Sequence, residues 1–186
     1  MQDPAPMTLE AFLAWEAQQE GPHEFEGGRV QALSSPTKRH NRIAFNLAKI
    51  LDRGVPATCS VFIERVKVIA AQDVYYPDVV VTCDERDERD EYIVRHPRIV
   101  AEVLSPRTRG ADLTDKLRAY SALPSLAHYL VIEQAQRAVI HYAFGPYGAE
   151  RRFEVITQGV IDLGFSGVLV ELDALYAGIR VTKGLQ

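Results

Sequence analysis

The stretch Arg98–Leu104, with the sequence RIVAEVL, predicts a strand buried on both faces, because only Arg98 and Glu102 interrupt its apolar residues. A second run of the same kind extends from Tyr75 to Thr82, with the sequence YYPDVVVT. Such strands lie at the centre of a sheet that carries helices on both faces. We therefore expect an α/β or α+β fold, with a mixed central β-sheet flanked by helices.

The patterns on either side of these runs complete a single domain, which a length of 186 residues suits. Helices are predicted from Leu9 to about Gln19, from a cap at Thr37 or Ser35 to about Asp52, from about Ala111 to Ser121, and from Leu172 to Ile179. Further strands are predicted over His23–Glu26, Arg29–Leu33, Val61–Ile69, His128–Glu133, Ala138–Phe144 and Arg152–Thr157. The first two of these flank Gly27 and Gly28, so the domain should begin with a helix and a hairpin.

The composition is that of a globular protein, with 47% hydrophobic and 25% charged residues. No apolar run approaches the ~20 residues that cross a bilayer, and the first residues lack a signal-peptide pattern, so we expect a cytoplasmic protein with no membrane partner. A formal net charge of −4 provides no general attraction to nucleic acid. It weighs less against an enzyme whose cleft binds a cation.

Two further features of the sequence are its pair of cysteines and a run of charged residues. Cys59 and Cys83 lie far apart and lack metal-ligand spacing, so we expect neither a zinc finger nor a disulfide scaffold, and each cysteine should be a small buried residue. The mixed-sign run from Asp84 to Glu91 should be a solvated loop, with a partner-binding loop as the alternative.

Two carboxylates stand out chemically. Glu102 lies inside an apolar strand, and an ionised carboxylate is almost never buried unless it is paired or bound to a metal. Asp78 follows Pro77 and leads directly into the apolar residues of another central strand. If the two acids meet at one end of the sheet, they suit a Mg²⁺ site. The alternatives are a satisfied core glutamate and an aspartate that caps a turn.

Lys116 follows the Glu102 strand, on a predicted helix. Asp112, Lys116 and Tyr120 are spaced four residues apart and share one helix face. The ammonium could form a surface pair with Asp112, or it could lie over the two acids and stabilise developing negative charge. The spacing does not separate these alternatives.

The order Pro77-Asp78, Glu102 and then a lysine resembles the PD-(D/E)XK, or restriction-endonuclease-like, nuclease superfamily. The usual pattern has its lysine two residues after the second acid, where this chain has Leu104. The Uma-two-type branch, small bacterial restriction-endonuclease-like proteins, shares this departure and has Asp and Lys on the following helix. Segments that resemble this branch are TLEAFL at Thr8–Leu13, HEFEGG at His23–Gly28, SPTKRH at Ser35–His40, and EVLSPRT at Glu102–Thr108.

The resemblance implies a restriction-endonuclease-like core and a Mg²⁺- or Mn²⁺-dependent endonuclease, with DNA as the expected nucleic acid. It implies Asp78 and Glu102 as metal ligands, Glu24 as a further candidate ligand, and Lys116 acting in the same space from the helix. His40, Asp112 and Tyr120 are candidate supporting residues. For Glu24 the alternative is an exposed strand residue. For His40 it is a solvated helix face or a contact to a neighbouring backbone group.

Several functional questions stay open at this level. The basic residues that could contact phosphates are Lys38, Arg39, Arg107 and Arg109. The chain could instead be a catalytically silent binding or regulatory module, or a hydrolase of a small phosphorylated substrate, which fits the net charge better. A homodimer would supply a second site for the opposite strand, although no residue pattern indicates one.

Overall fold

The computed structural model describes residues 7–105, 110, 113–145, 151–164 and 167–180. The helices are α1 (Leu9–Glu16), α2 (Lys38–Gly54), α3 (Asp115–Ser121) and α4 (Leu172–Leu175), with a 3₁₀ helix at Glu85–Arg89. The strands are β1 (His23–Glu26), β2 (Arg29–Ala32), β3 (Ser60–Ile63), β4 (Lys67–Ala70), β5 (Asp73–Tyr75), β6 (Val79–Thr82), β7 (Ile93–Val94), β8 (Pro97–Val103), β9 (His128–Ile132), β10 (Val139–Phe144), β11 (Arg151–Ile156), β12 (Val160–Asp162) and β13 (Leu169–Glu171).

The strands form three sheets. The largest has the order β11-β10-β9-β8-β6-β3; its β8–β9 pair is parallel and its other pairs are antiparallel. A five-stranded sheet has the order β2-β1-β5-β4-β7, and β12 pairs with β13. The predicted α+β fold with a mixed central sheet, an N-terminal helix and a hairpin is confirmed. Of the described helices, none has the length and apolarity to span a bilayer.

The six-stranded sheet is covered on both faces, which explains its apolar strands. Ile99, Ala101 and Val103 of β8 belong to the same buried cluster as the apolar face of α2. Val100 and Leu104 belong to the cluster that contains Leu117 and Tyr120 of α3. Because side chains alternate along a strand, Glu102 lies on the α3 side.

The buried apolar face of α2 explains the position of the helix, and a cap explains where the helix begins. Ile43, Leu47 and Leu51 recur every four residues and are fully buried. Thr37 caps the helix by accepting a hydrogen bond from the backbone N–H of His40 at 3.1 Å. Two helices end earlier than predicted, α1 at Glu16 and α4 at Leu175. The helix α3 ends at Ser121 as predicted, and residues 111 and 112 of its prediction lie outside the described residues.

Two predictions of a single continuous strand were wrong, because each predicted strand divides into two strands that belong to different sheets. Val61–Ile69 divides at Glu64 and Arg65, whose φ angles of 44° and 58° turn the chain from β3 of the large sheet to β4 of the smaller one. Tyr75–Thr82 divides at residues 76–78, where the chain returns from β5 to β6. Apolar runs indicate strands but not the sheet that each strand joins. The second crossing positions Asp78 at the entrance to β6.

The prediction of two separate cysteines was also wrong, since Cys59 and Cys83 form a disulfide with a Cα–Cα distance of 4.1 Å. Ser60 pairs with Thr82 in the antiparallel β3–β6 ladder. Cys59, one residue before Ser60, therefore lies opposite Cys83, one residue after Thr82. The 24-residue separation hides this proximity, because the chain passes through the second sheet in between.

The mixed-sign run is mostly exposed, as expected, but Asp87 is an exception at 8% exposure. Its carboxylate accepts hydrogen bonds from Thr82 Oγ at 2.6 Å and from the backbone N–H groups of Arg95 and His96 at 2.9 and 3.2 Å. Asp87 therefore holds the run against the start of β8.

Candidate active site

A cavity of about 640 Å³ lies where the two larger sheets approach the start of α2. Side chains from five parts of the chain line it. They are Glu24 of β1, His40 of α2, Asp78 before β6, Glu102 of β8 and Lys116 of α3. The structure therefore brings together the residues that the sequence singled out, although they span much of the chain.

Glu102 is held by two side chains of α3. The carboxylate is 4% exposed, and Oε1 accepts hydrogen bonds from Lys116 Nζ at 3.0 Å and from Tyr120 Oη at 3.1 Å. Residues four apart on a helix share a face, which explains why both reach one oxygen. Burial and the negative charge of Glu102 raise the pKa of Tyr120 well above its ordinary value, so its hydroxyl stays protonated and donates. Asp112 lies outside the described residues.

Lys116 is buried and bridges two carboxylates. Its ammonium is also 2.8 Å from Glu24 Oε1, and both residues are buried, at 4% and 7% exposure. The backbone N–H of Tyr76 donates to the same Glu24 oxygen at 3.2 Å. The alternative of an exposed strand residue at position 24 is therefore wrong. Lys116 also lies 5.6 Å from the centre of the Tyr75 ring, which favours a cation there.

Asp78 is held by the neighbouring strand and by α2. Its Oδ2 accepts a hydrogen bond from the backbone N–H of Val103 at 2.7 Å and lies 3.2 Å from Nε2 of His40. Burial lowers the pKa of His40, but the hydrogen bond and the charge of Asp78 outweigh burial, so the net pKa is raised. His40 is 9% exposed, so the alternative of a solvated helix residue is wrong.

A second layer of contacts fixes the crossing that carries Asp78. Tyr75 donates its hydroxyl to Glu26 at 2.8 Å, and Tyr76 donates to Glu16 Oε1 at 2.5 Å. Burial raises the pKa of both tyrosines, so both hydroxyls remain donors. Glu16 is itself 5% exposed and lies 3.3 Å from the ammonium of Lys67. These residues were not predicted from the sequence, in which their one signal was the pair of tyrosines directly before Pro77-Asp78.

The lining of the cavity is acidic. Among the described residues that line it, five carry carboxylates, and these outnumber the three cationic side chains of Arg39, Arg65 and Lys116. Glu64 and Glu133 complete the acidic set. An excess of carboxylates in a cavity favours a further cation, and oxygen donors are the ligands that Mg²⁺ prefers. The donor set therefore fits a hard divalent ion.

The acids are not grouped as ligands in this arrangement. Within the described part of the chain, no three His, Cys, Asp or Glu side chains lie close enough together to hold a metal ion. The contacts explain why, since Lys116 lies between Glu24 and Glu102 while Asp78 binds Val103 N and faces His40. A metal ion that takes Oε1 of Glu24 or of Glu102 as a ligand would have to displace the ammonium.

The predicted phosphate-contacting residues have different positions. Arg39 lines the cavity and donates to the backbone oxygen of Gln134 at 3.3 Å, while Lys38 is exposed at the start of α2. Arg107 and Arg109 lie outside the described residues. Arg65, which the sequence analysis missed, lines the cavity from the turn that separates β3 and β4.

Comparison with known proteins relates the chain to one family. The Uma2 family model, described as "Putative restriction endonuclease", matches residues 9–164. The uncharacterized protein slr1290 of Synechocystis is 28% identical, covering 93% of each chain. A second Synechocystis protein, the uncharacterized sll1609, is 30% identical over 73% of this chain and 80% of its own length. A crystal structure from Anabaena variabilis, described as a putative nuclease belonging to DUF820, superposes with a TM-score of 0.74 over 92% of this chain and 98% of that chain. Its sequence identity is 18%, so it shows the fold alone.

Proposed function

The chain belongs to the Uma2 family of restriction-endonuclease-like proteins, and from this membership and the site we propose that it is a metal-dependent nuclease that hydrolyses phosphodiester bonds in DNA. The observation that carries the proposal is the bridge from Lys116 Nζ to Glu24 and Glu102, beside Asp78 in an acidic cavity. Desolvating charged groups costs several kcal/mol per ion, which a purely structural core avoids. A site that needs acids and a lysine together has a chemical reason to bear this cost.

Asp78 and Glu102 are the proposed ligands of Mg²⁺ or Mn²⁺, with Glu24 as a third. When bound, such an ion would polarise the phosphoryl oxygen and lower the pKa of a water. Tyr120 donates a hydrogen bond to Oε1 of Glu102 and holds this carboxylate in place. His40 and Val103 N hold Asp78 in the same way. These contacts keep both carboxylates oriented, as the partners of metal ligands usually do.

Lys116 is the proposed catalytic cation. Once released from the carboxylates, its ammonium would donate hydrogen bonds to the negative charge that develops on the phosphoryl group. Arg39 and Arg65 at the cavity, together with Lys38, Arg107 and Arg109, are proposed to contact neighbouring phosphates. Asp112 stays a candidate supporting residue.

The proposal is tested by calorimetric titration of Mg²⁺ and Mn²⁺ together with cleavage of plasmid and single-stranded DNA. Wild type should bind metal and cut, and Glu102→Gln should lose both. The matched control is Glu26→Gln, which should bind metal and cut like wild type, because Glu26 does not line the cavity and a glutamine there still accepts the hydrogen bond from Tyr75. Wild type that binds neither ion at millimolar concentration would refute the metal-dependent mechanism and favour the silent module.

The cavity volume favours a second candidate, hydrolysis of a small phosphorylated substrate. About 640 Å³ lies within the ~300–1,000 Å³ of small-molecule sites. Bis(p-nitrophenyl) phosphate, a small diester, separates the two candidates. A nuclease should cleave DNA much faster than this diester, whereas rapid turnover of the diester with intact plasmid would favour the small-substrate hydrolase.

A further inference from the structure

The strand β11 forms an outer edge of the large sheet and exposes apolar side chains. In the described part of the chain it pairs with β10 only. Phe153 and Val155 are 68% and 59% exposed, and they lie on the same face because side chains alternate along a strand. An apolar edge strand with unpaired backbone groups is a template for another strand.

The exposed phenylalanine continues a row of aromatic rings. The rings of Tyr120 and Tyr129 lie 5.2 Å apart, those of Tyr129 and Tyr142 5.9 Å, and those of Tyr142 and Phe153 5.9 Å. Exposure rises from 0% at Tyr129 through 8% at Tyr142 to 68% at Phe153. The apolar layer that α3 covers at the centre therefore extends to the sheet edge, where none of the described residues buries Phe153.

The opposite face of β11 is charged. Arg152 and Glu154 flank Phe153 and are exposed. Glu154 lies 3.3 Å from Nδ1 of His141 on β10, which holds one carboxylate oxygen towards the sheet. The strand thus presents a positive and a negative side chain at equal distances from a central aromatic residue.

We propose that β11 pairs antiparallel with β11 of a second copy of this chain, about a two-fold axis at Phe153. In this register Phe153 lies opposite the partner's Phe153, and Arg152 lies opposite the partner's Glu154, twice by symmetry. The pairing extends the aromatic row across the interface on one face and forms two ion pairs on the other. Cross-strand aromatic and opposite-charge pairs are the stabilising contacts of antiparallel sheets.

Neighbouring registers are less favourable. A shift that centres the axis between Phe153 and Glu154 places these two residues opposite each other and mixes the apolar and charged faces. Centring the axis on Glu154 brings two glutamates together, and like charges opposite each other are destabilising. Of these antiparallel registers, the one centred on Phe153 is therefore favoured by the charge pattern. The proposal depends on β11 alone and stands apart from the proposed reaction.

The test is sedimentation velocity over a range of protein concentrations. Wild type should dimerise, and Arg152→Glu and Glu154→Arg should each weaken the dimer roughly tenfold or more, since each opposes like charges at two symmetric positions. An equimolar mixture of the two variants should form a heterodimer, because every facing pair is again Arg with Glu. The mixture also shows that each variant is folded.

Glu88→Arg is the control, since it makes the same charge change at an exposed residue of the 3₁₀ helix. It should dimerise like wild type. A wild type that stays monomeric throughout the concentration range, or a variant mixture that stays monomeric while wild type dimerises, would overturn the proposal. Equal weakening by Glu88→Arg would do the same.

Discussion

Replacing Lys116 with Met tests the central contact of the site. The ammonium is within hydrogen-bond distance of Glu24 at 2.8 Å and Glu102 at 3.0 Å, and all three residues are at most 7% exposed. Removing one partner of a buried ion pair costs about 3–5 kcal/mol, because the remaining charge is left buried. The hydrogen bonds from Tyr120 to Glu102 and from Tyr76 N to Glu24 remain. We therefore expect a loss of about 3 kcal/mol in the free energy of unfolding, at the lower end of that range.

Divalent metal should reverse much of this loss. In the variant the two carboxylates need a cation, whereas in wild type a metal ion must first displace the ammonium. Millimolar Mg²⁺ should therefore stabilise Lys116→Met more than it stabilises wild type. The free energy of unfolding of the variant should rise by about 3 kcal/mol if the free ion reaches ~100 times its dissociation constant for the variant. Urea unfolding with and without Mg²⁺ measures both quantities.

Lys67→Met is the matched control. Lys67 lies 3.3 Å from the buried Glu16, and neither residue lines the cavity. This variant should lose stability without a special response to Mg²⁺. A loss below about 1 kcal/mol for Lys116→Met would refute the burial argument. Equal Mg²⁺ stabilisation of wild type and Lys116→Met would refute the displacement of the ammonium.

Two further predictions concern the fold. Burial, followed by repulsion from His141 and Arg98, lowers the pKa of His128 to about 4, so the folded state resists protonation that the unfolded chain accepts below its ordinary pKa. The contribution of neutral His128 to the free energy of unfolding is therefore complete at pH 7 and falls by about 1–2 kcal/mol by pH 5. Urea unfolding of His128→Gln should show a flatter pH dependence than that of wild type. Reduction of the Cys59–Cys83 disulfide, which spans 24 residues, should lower the free energy of unfolding by about 3 kcal/mol. The double variant Cys59→Ser, Cys83→Ser should not respond to reductant, and an unchanged wild type under reduction would show that the bond adds nothing.

Local patterns predicted much of the architecture. The buried face of α2, the hairpin β1–β2 and the central strand β8 follow from periodicity and turn residues, which act within a few positions of the chain. The strand boundaries near residues 64 and 76 were missed. Both are crossings between sheets, and an apolar run carries no information on which sheet its residues join.

For the site, the sequence identified Glu102 as an unusual carboxylate and left two alternatives for Lys116, a surface pair with Asp112 or a position over the acids. A carboxylate in an apolar strand requires compensation wherever it occurs, so the demand is visible locally. The full set of contacts that provides this compensation is not visible locally, because Lys116 Nζ also binds Glu24, 92 positions earlier in the chain. The i, i+4 spacing did place Tyr120 with Lys116, and both reach Glu102.

By itself, the sequence determined the fold class, the central strands, and the acids and lysine that an apolar core does not tolerate unpaired. Only the tertiary structure decided that His40 faces Asp78, that Lys116 bridges two acids, and that Cys59 meets Cys83. Side-chain period and burial are properties of neighbouring residues, whereas these contacts depend on how strands are ordered in the sheets. Strand order follows from the packing of the whole chain, and no short stretch of sequence contains it.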